Sequence, residues 1–177
     1  MGLNIGYLNS KRSHLGDEVA TPINAVVPIV KHLQAKGFKT VWCPFDESHS
    51  YFVKVLSNNG FKVIYSHIKT GQDFFKYEPN ESYDVIVSNP PFSIKDAVIK
   101  RLYELNKPFA MLMPLPALQG NYRFSYFQTG LELLVFDKRI NFVANKNNSF
   151  ASIYFCKDVL NEKLIFTKLN KEKQNEI

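Results

Sequence analysis

Short apolar runs take turns with stretches of helical period along the first two thirds of this chain, and that alternation constrains the fold more than any other feature. Thr40-Val41-Trp42-Cys43, Phe61 to Tyr65, Tyr83 to Val87 and Pro108 to Met113 are apolar runs too short for helices and read as buried strands. Between and before them lie helical patterns. Thr21-Pro22 opens the first, with Thr as N-cap and Pro at the first helical position. Ile23, Val26, Val27, Val30 and Leu33 then share one face, Gly37 closes the segment, and Pro28 is expected to kink or shorten it. A second helix is predicted from Ser48 to Asn58, stopped by Gly60. A third starts at Ser93 as its cap, with Ile94, Ala97, Val98, Leu102 and Leu105 on one face. Residues 67–82 read as loop. Strand–helix alternation of this kind builds a mostly parallel central sheet with helices on both faces. The last third changes character: 133–136, 150–155 and 164–167 read as strands, with a polar turn over 145–149, which predicts an antiparallel C-terminal end. No repeat or linker divides the chain, so residues 1–177 read as one α/β domain, with an N-terminal arm over 1–20 and a polar tail over 168–177.

The chain carries 22 Lys and Arg against 16 Asp and Glu, a net charge of +6 that suits a polyanionic partner. Cys43 and Cys156 sit in apolar runs without a CxxC pair or a histidine at ligand spacing, so buried thiols in a reducing cytoplasm are expected and a metal site is not. No signal peptide or membrane-length apolar stretch is visible, and no obligate protein partner is evident.

In open α/β sheets, ligands bind beyond the carboxyl ends of the strands. Three polar clusters fall there: residues 44–48, 66–75 and 88–92. Ser88-Asn89-Pro90-Pro91-Phe92 is the most informative. Consecutive prolines lack N–H groups and hold the preceding residues extended, which gives a stiff turn with exposed carbonyls. A neutral amide and a rigid carbonyl are acceptors for a two-hydrogen amine, and an aromatic ring two residues on can stack on a planar base. An exocyclic amine on a purine is a poor nucleophile because its lone pair is delocalised. Two acceptors aimed at its hydrogens draw the nitrogen toward tetrahedral geometry, which is preorganised electrostatics without a metal or a covalent intermediate.

Asn89-Pro90-Pro91-Phe92 resembles the signature of the amino-methyltransferases that modify adenine N6, and the wider pattern is similar to the small phage DNA N-6-adenine methyltransferases. Asp17-Glu18, Thr21-Pro22, Val41 to Asp46 and Gly71 to Phe74 match in order, with weaker similarity through Arg139-Ile140-Asn141-Phe142. The resemblance implies a Rossmann-like fold dependent on S-adenosylmethionine and a nucleic-acid substrate, DNA before RNA. It implies that Asn89 and Pro90 accept from the target amine while Phe92 stacks on the base and Pro91 borders it. Asp73 and Phe74 would meet the cofactor's adenine, and Asp46 its ammonium. Thr21, Pro22, Pro44, Phe45 and Ser48 would complete the cofactor site. With no separate target-recognition domain, relaxed sequence preference is expected.

Several readings stay open. The family's glycines after the first strand are replaced here by Asp46-Glu47-Ser48-His49, side chains that could crowd a cofactor. Ser66-His67 stands where an acid usually grips the ribose, and the short span to Asp73 implies that one helix and one strand of the usual fold are missing. Asp73 could be a plain turn residue, and Asp46 a helix cap. His49 and His67 read as solvent-facing, and Trp42 as core. Tyr122, Arg123, Tyr126, Lys138, Arg139 and Lys146 form either a nucleic-acid face or an ordinary amphipathic helix with its loop. The rival functions are an RNA adenine methyltransferase, a protein glutamine methyltransferase, and a binding module that kept the base pocket and lost the cofactor.

Overall fold

The structure, a computed structural model, describes residues 20–142 and 151–170. The predicted alternation is present as α1 (Ile23–Ala35), β1 (Thr40–Cys43), α2 (Tyr51–Asn58), β2 (Lys62–Tyr65), β3 (Val85–Ser88), α3 (Lys95–Leu105), β4 (Phe109–Pro114), α4 (Asn121–Phe127), β5 (Glu132–Phe136), β6 (Ser152–Lys157) and β7 (Leu164–Thr167). The strands form one sheet in the order β2-β1-β3-β4-β6-β5-β7. Strands β1 to β4 pair in parallel, β6 runs antiparallel to both β4 and β5, and β7 is parallel to β5. The reversed strand therefore lies inside the sheet, and the final strand resumes the common direction. The architecture is Rossmann-like α/β, a mostly parallel sheet between helical layers.

Alternation along the strands divides the core. Val41, Cys43, Val85 and Val87 face α1 and α2, packing on Ala25, Ile29, Leu33, Phe52 and Leu56. Trp42, Ile86, Met111 and Met113 face the other way, onto Val98, Ile99 and Leu102 of α3. Each fully buried aliphatic side chain of this kind contributes roughly 1.5–3 kcal/mol. Both cysteines are buried free thiols whose pKa burial pushes up, which makes them unreactive.

Local details depart from the sequence expectations for identifiable reasons. α1 continues past Pro28 to a length of 13 residues, held by five buried side chains on one face. Its N-cap is Pro22 rather than Thr21, and no side chain caps it. α2 begins three residues later than expected because Ser50, not Ser48, accepts from the Phe52 and Val53 amides. Ser93 is not the cap of α3: Phe92–Ile94 form a single 3-10 turn that leads into the helix, and Ile94 takes the cap position. β2 is one of the two edge strands, with no helix or strand between it and β3 in sequence apart from a short 3-10 turn at Ile68–Thr70. An aromatic plug covers the exposed flank instead. Phe74, Tyr77 and Tyr83 from the long loop close on Trp42, with ring centroids 5.5, 6.3 and 5.1 Å away. The Trp42 indole N–H donates to Ser66 Oγ at 3.0 Å, so Trp42 is core as expected. Asp17, Glu18, Lys146 and the turn at 145–149 lie outside the described residues.

Candidate functional site

From β1 the chain steps outward to β2, then returns past β1 to β3. Such a reversal parts the loops at the carboxyl ends of β1 and β3 and leaves a crevice between them. A cavity of about 600 Å³ opens there. The three polar clusters meet around it: Pro44, Phe45, Asp46 and Glu47 after β1, His67 and Lys69 after β2, Asp73 and Phe74 from the plug, and Asn89 to Phe92 after β3. Thr21 and Phe142 close the remaining side.

Asn89 is the pivot. Its Nδ2 donates to Thr21 Oγ1 at 2.9 Å. Its Oδ1 is buried and has no hydrogen-bond partner among the described residues. Buried polar atoms in folded proteins are overwhelmingly paired, so an orphan acceptor on a residue that lines the cavity is a candidate partner for a donor from a ligand. Pro90 is buried beside it, while Pro91 and Phe92 are half-buried on the same wall.

Asp46 is the second focus. Only 8% exposed, its carboxylate accepts from the hydroxyls of Ser50 and Ser88, and its backbone N–H donates to Ser66 O at 3.2 Å. One acid thereby ties the start of α2 and the ends of β1, β2 and β3 together. Burial raises its pKa to about 6, against the lowering pull of the two serine hydroxyls and of His67 and His49. Glu47, next in sequence, accepts from Lys69 at 3.2 Å, a pair that spans from the loop after β1 to the loop after β2. That bond holds the Glu47 carboxyl below its usual range.

Other residues fall where sequence did not put them. His67 is 5% exposed rather than solvent-facing: its Nδ1 accepts from the Lys69 amide at 3.1 Å, and the ring borders the cavity. His49 is exposed, as expected. Asp73 is a turn residue, its Oδ1 accepting from the Phe75 amide at 3.1 Å, yet it also lines the cavity. Phe74, only 2% exposed, forms wall, wedged between Trp42 and Phe45. Ser48 is exposed and does not border the cavity; Ser50, two residues on, does both jobs that Ser48 was expected to do at the helix start. Pro22 is buried and does not line the cavity.

Arg123 is not available to nucleic acid. Its guanidinium is buried, with Nε donating to Ala117 O at 2.7 Å and the two terminal nitrogens donating to Asp96 and to Gln119 O. It staples the loop after β4 to the first turn of α3. Gly120 makes the space: a Cβ there would meet Arg123 Nη2 at 2.5 Å. Tyr122, Lys138 and Arg139 are exposed but lie apart from the cavity walls. Among the described residues no group of three or more His, Cys, Asp or Glu could hold a metal ion, and no helix is long and apolar enough to cross a membrane.

No family model matches the chain. Over 74 residues it is 36% identical to a type II methyltransferase of Mycoplasma genitalium, a match that covers 40% of this chain. The chain spans only 23% of that relative's length. A crystal structure of the Thermoplasma acidophilum protein 1320 superposes on 74% of this chain and 81% of its own, at a TM-score of 0.37 and 11% identity.

Proposed function

We propose that this chain methylates the exocyclic N6 of adenine in nucleic acid, DNA before RNA, using S-adenosylmethionine. The observation that carries the reading is Asn89, a residue lining the cavity at the topological switch point, whose buried Oδ1 has no hydrogen-bond partner among the described residues. Similarity to a type II methyltransferase supports the reaction class, and the net charge of +6 supports a polyanionic substrate.

The residues present fit the cofactor. Loss of the family's glycines does not close the crevice: at about 600 Å³ it lies within the range of ordinary cofactor pockets. Asp46 and Glu47 offer carboxylates to an ammonium, Asp73 an acceptor to an adenine amine, and Phe45 a half-buried ring beside it. When bound, S-adenosylmethionine supplies an electrophilic sulfonium methyl group.

The chain's own residues do the rest. Asn89 Oδ1 and the Pro90 carbonyl accept hydrogen bonds from the two amine hydrogens, leaving the nitrogen lone pair exposed on the cofactor side; once the nitrogen carries the methyl group it is strongly acidic and releases one proton to solvent. Phe92 stacks on the base and holds its plane. The proline pair keeps this turn from relaxing, so little reorganisation accompanies reaction. In duplex DNA the base must leave the stack to reach Asn89, which costs a few kcal/mol and favours already unpaired sites.

Asn89→Ala tests the reading. It should lower methyl transfer by about 100-fold or more while leaving S-adenosylmethionine affinity within about threefold. Full activity in that variant would refute the assignment.

A further inference from the structure

Sheet topology decides which loops share an edge with Asn89. β6 runs antiparallel to both β4 and β5, so β5 runs the same way as β4 and β3, and its carboxyl end falls on the edge where Asn89 lies. β7 is parallel to β5 and ends on that edge too. The segment that leaves β5 there runs from Asp137 to Phe142. Ile140 and Phe142 are buried in the core, and Phe142 also lines the crevice. Lys138 and Arg139, just before them, are exposed, and neither forms an ion pair with a described residue. Lys168, which follows β7, is exposed and likewise makes no ion pair among the described residues. Among the described residues beyond the ends of these two strands Asp137 is the one acid, and its Oδ1 already accepts from the Leu169 amide at 2.8 Å.

The crevice opens between β1 and β3, with Asp46, Glu47 and Lys69 on its β1–β2 flank. β5 lies on the opposite flank, three strand spacings from β3 in the order β3-β4-β6-β5. At about 4.8 Å per spacing, that is about 14 Å. Each strand of a nucleic-acid duplex carries one phosphate per about 3.4 Å of axis, so about four phosphates span the distance. We propose that Lys138 and Arg139 form a phosphate ledge that grips the substrate backbone about four nucleotides to one side of the adenine that enters the crevice. The proposal rests on the adenine-methylation reading given above. Ile140 and Phe142 tie the ledge to the crevice wall, so the contact fixes the register of the strand over Asn89 as well as adding affinity.

Lys138→Ala with Arg139→Ala removes two charges from the ledge. Lys36→Ala with Lys163→Ala removes two exposed charges ahead of the amino ends of β1 and β7, on the opposite edge. Binding of the full chain to labelled duplex DNA, with duplex RNA in parallel, is followed by fluorescence anisotropy across a salt series. The plot of log affinity against log salt should lose about two units of slope in the ledge variant and less than about half a unit in the control. An unchanged slope in the ledge variant on both duplexes, or equal losses in the two variants, would overturn the proposal. In methyl transfer to duplex DNA, the ledge variant should lose kcat/KM but keep kcat at saturating DNA within about twofold of wild type, because the contact is the same in ground and transition states. That deficit should shrink to within about twofold on duplexes cut back to about two base pairs on one side of the target adenine, and persist when the other side is cut. A deficit that persists whichever side is cut would overturn the placement of the ledge. If the wild type methylates no adenine, the functional reading fails, while the salt series still decides whether the ledge holds nucleic acid.

Discussion

Replacing Asp46 by Asn should stabilise the protein relative to wild type progressively as pH rises from about 4 to about 6. Burial lifts this carboxyl from 3.8 to about 6. A group whose folded pKa is raised contributes its stability in the protonated form, below the unfolded value, and loses it as pH climbs through the folded value. At about 1.4 kcal/mol per pH unit, ionisation in the folded state costs about 3 kcal/mol once the window is crossed. The hydroxyls of Ser50 and Ser88 already offset part of the burial cost, so that figure is what remains after them. The amide of the Asp46→Asn variant does not titrate, so whatever it gains or loses in hydrogen bonding moves the difference by a constant and leaves the slope. Burial lowers the pKa of His32 and so adds an opposite trend on the acid side, but it is present in both proteins and largely cancels in the difference. Urea unfolding of both proteins at pH 4.5, 5.5, 6.5 and 7.5, values chosen to bracket that window, measures the difference directly. For a chain of this size, about 3 kcal/mol corresponds to roughly 6–12 °C in melting temperature. A difference that stays flat across the series, or that shrinks as pH rises, would refute the reasoning.

The other predictions concern the flanks of the site. Arg123→Met should cost roughly 2–3 kcal/mol in chemical denaturation, because the carbonyls of Ala117 and Gln119 lose a buried charged donor. Gly120→Ala should destabilise by roughly 1–3 kcal/mol in the same assay, since its φ of +155° and the guanidinium against it leave no room for a Cβ. Arg139→Ala should leave stability unchanged and, if this exposed residue contacts phosphate, reduce the salt slope of DNA binding by about one.

Much of this arrangement was legible in the residues, and the reasons for the gaps are physical. Helical periodicity located α1, α2 and α3, because one-sided burial leaves its mark at every third to fourth position, and the strands of the described residues showed as short apolar runs, because β3, β4 and β6 are buried on both faces. The change of character after β4 pointed to an antiparallel C-terminal part, and pairing adds that the reversed strand is β6, between β4 and β5. Ser48 and Ser50 are equivalent as caps in sequence; Asp46 decides between them by engaging the Ser50 hydroxyl. Charged and polar residues are read as exposed by default, which misplaced His67 and Arg123. Both are buried because backbone groups satisfy them: the Lys69 amide for one, and the carbonyls of Ala117 and Gln119 for the other. α4 was not separable from its loop, being only seven residues long with aromatics on several faces. The turn from Ser88 to Phe92 was the clearest signal, because two prolines after an asparagine permit few backbone shapes. What sequence could not supply was the partner of that asparagine, since Thr21 lies on a distant element.

The most direct test is transfer of a labelled methyl group from S-adenosylmethionine to unmethylated DNA, with RNA in parallel, followed by nucleoside analysis. The account predicts N6-methyladenine, in the DNA arm before the RNA arm. Label in neither nucleic acid, with no stabilisation of the protein by the cofactor, would contradict it; a saturating cofactor at 100 times its Kd should add roughly 2.7 kcal/mol.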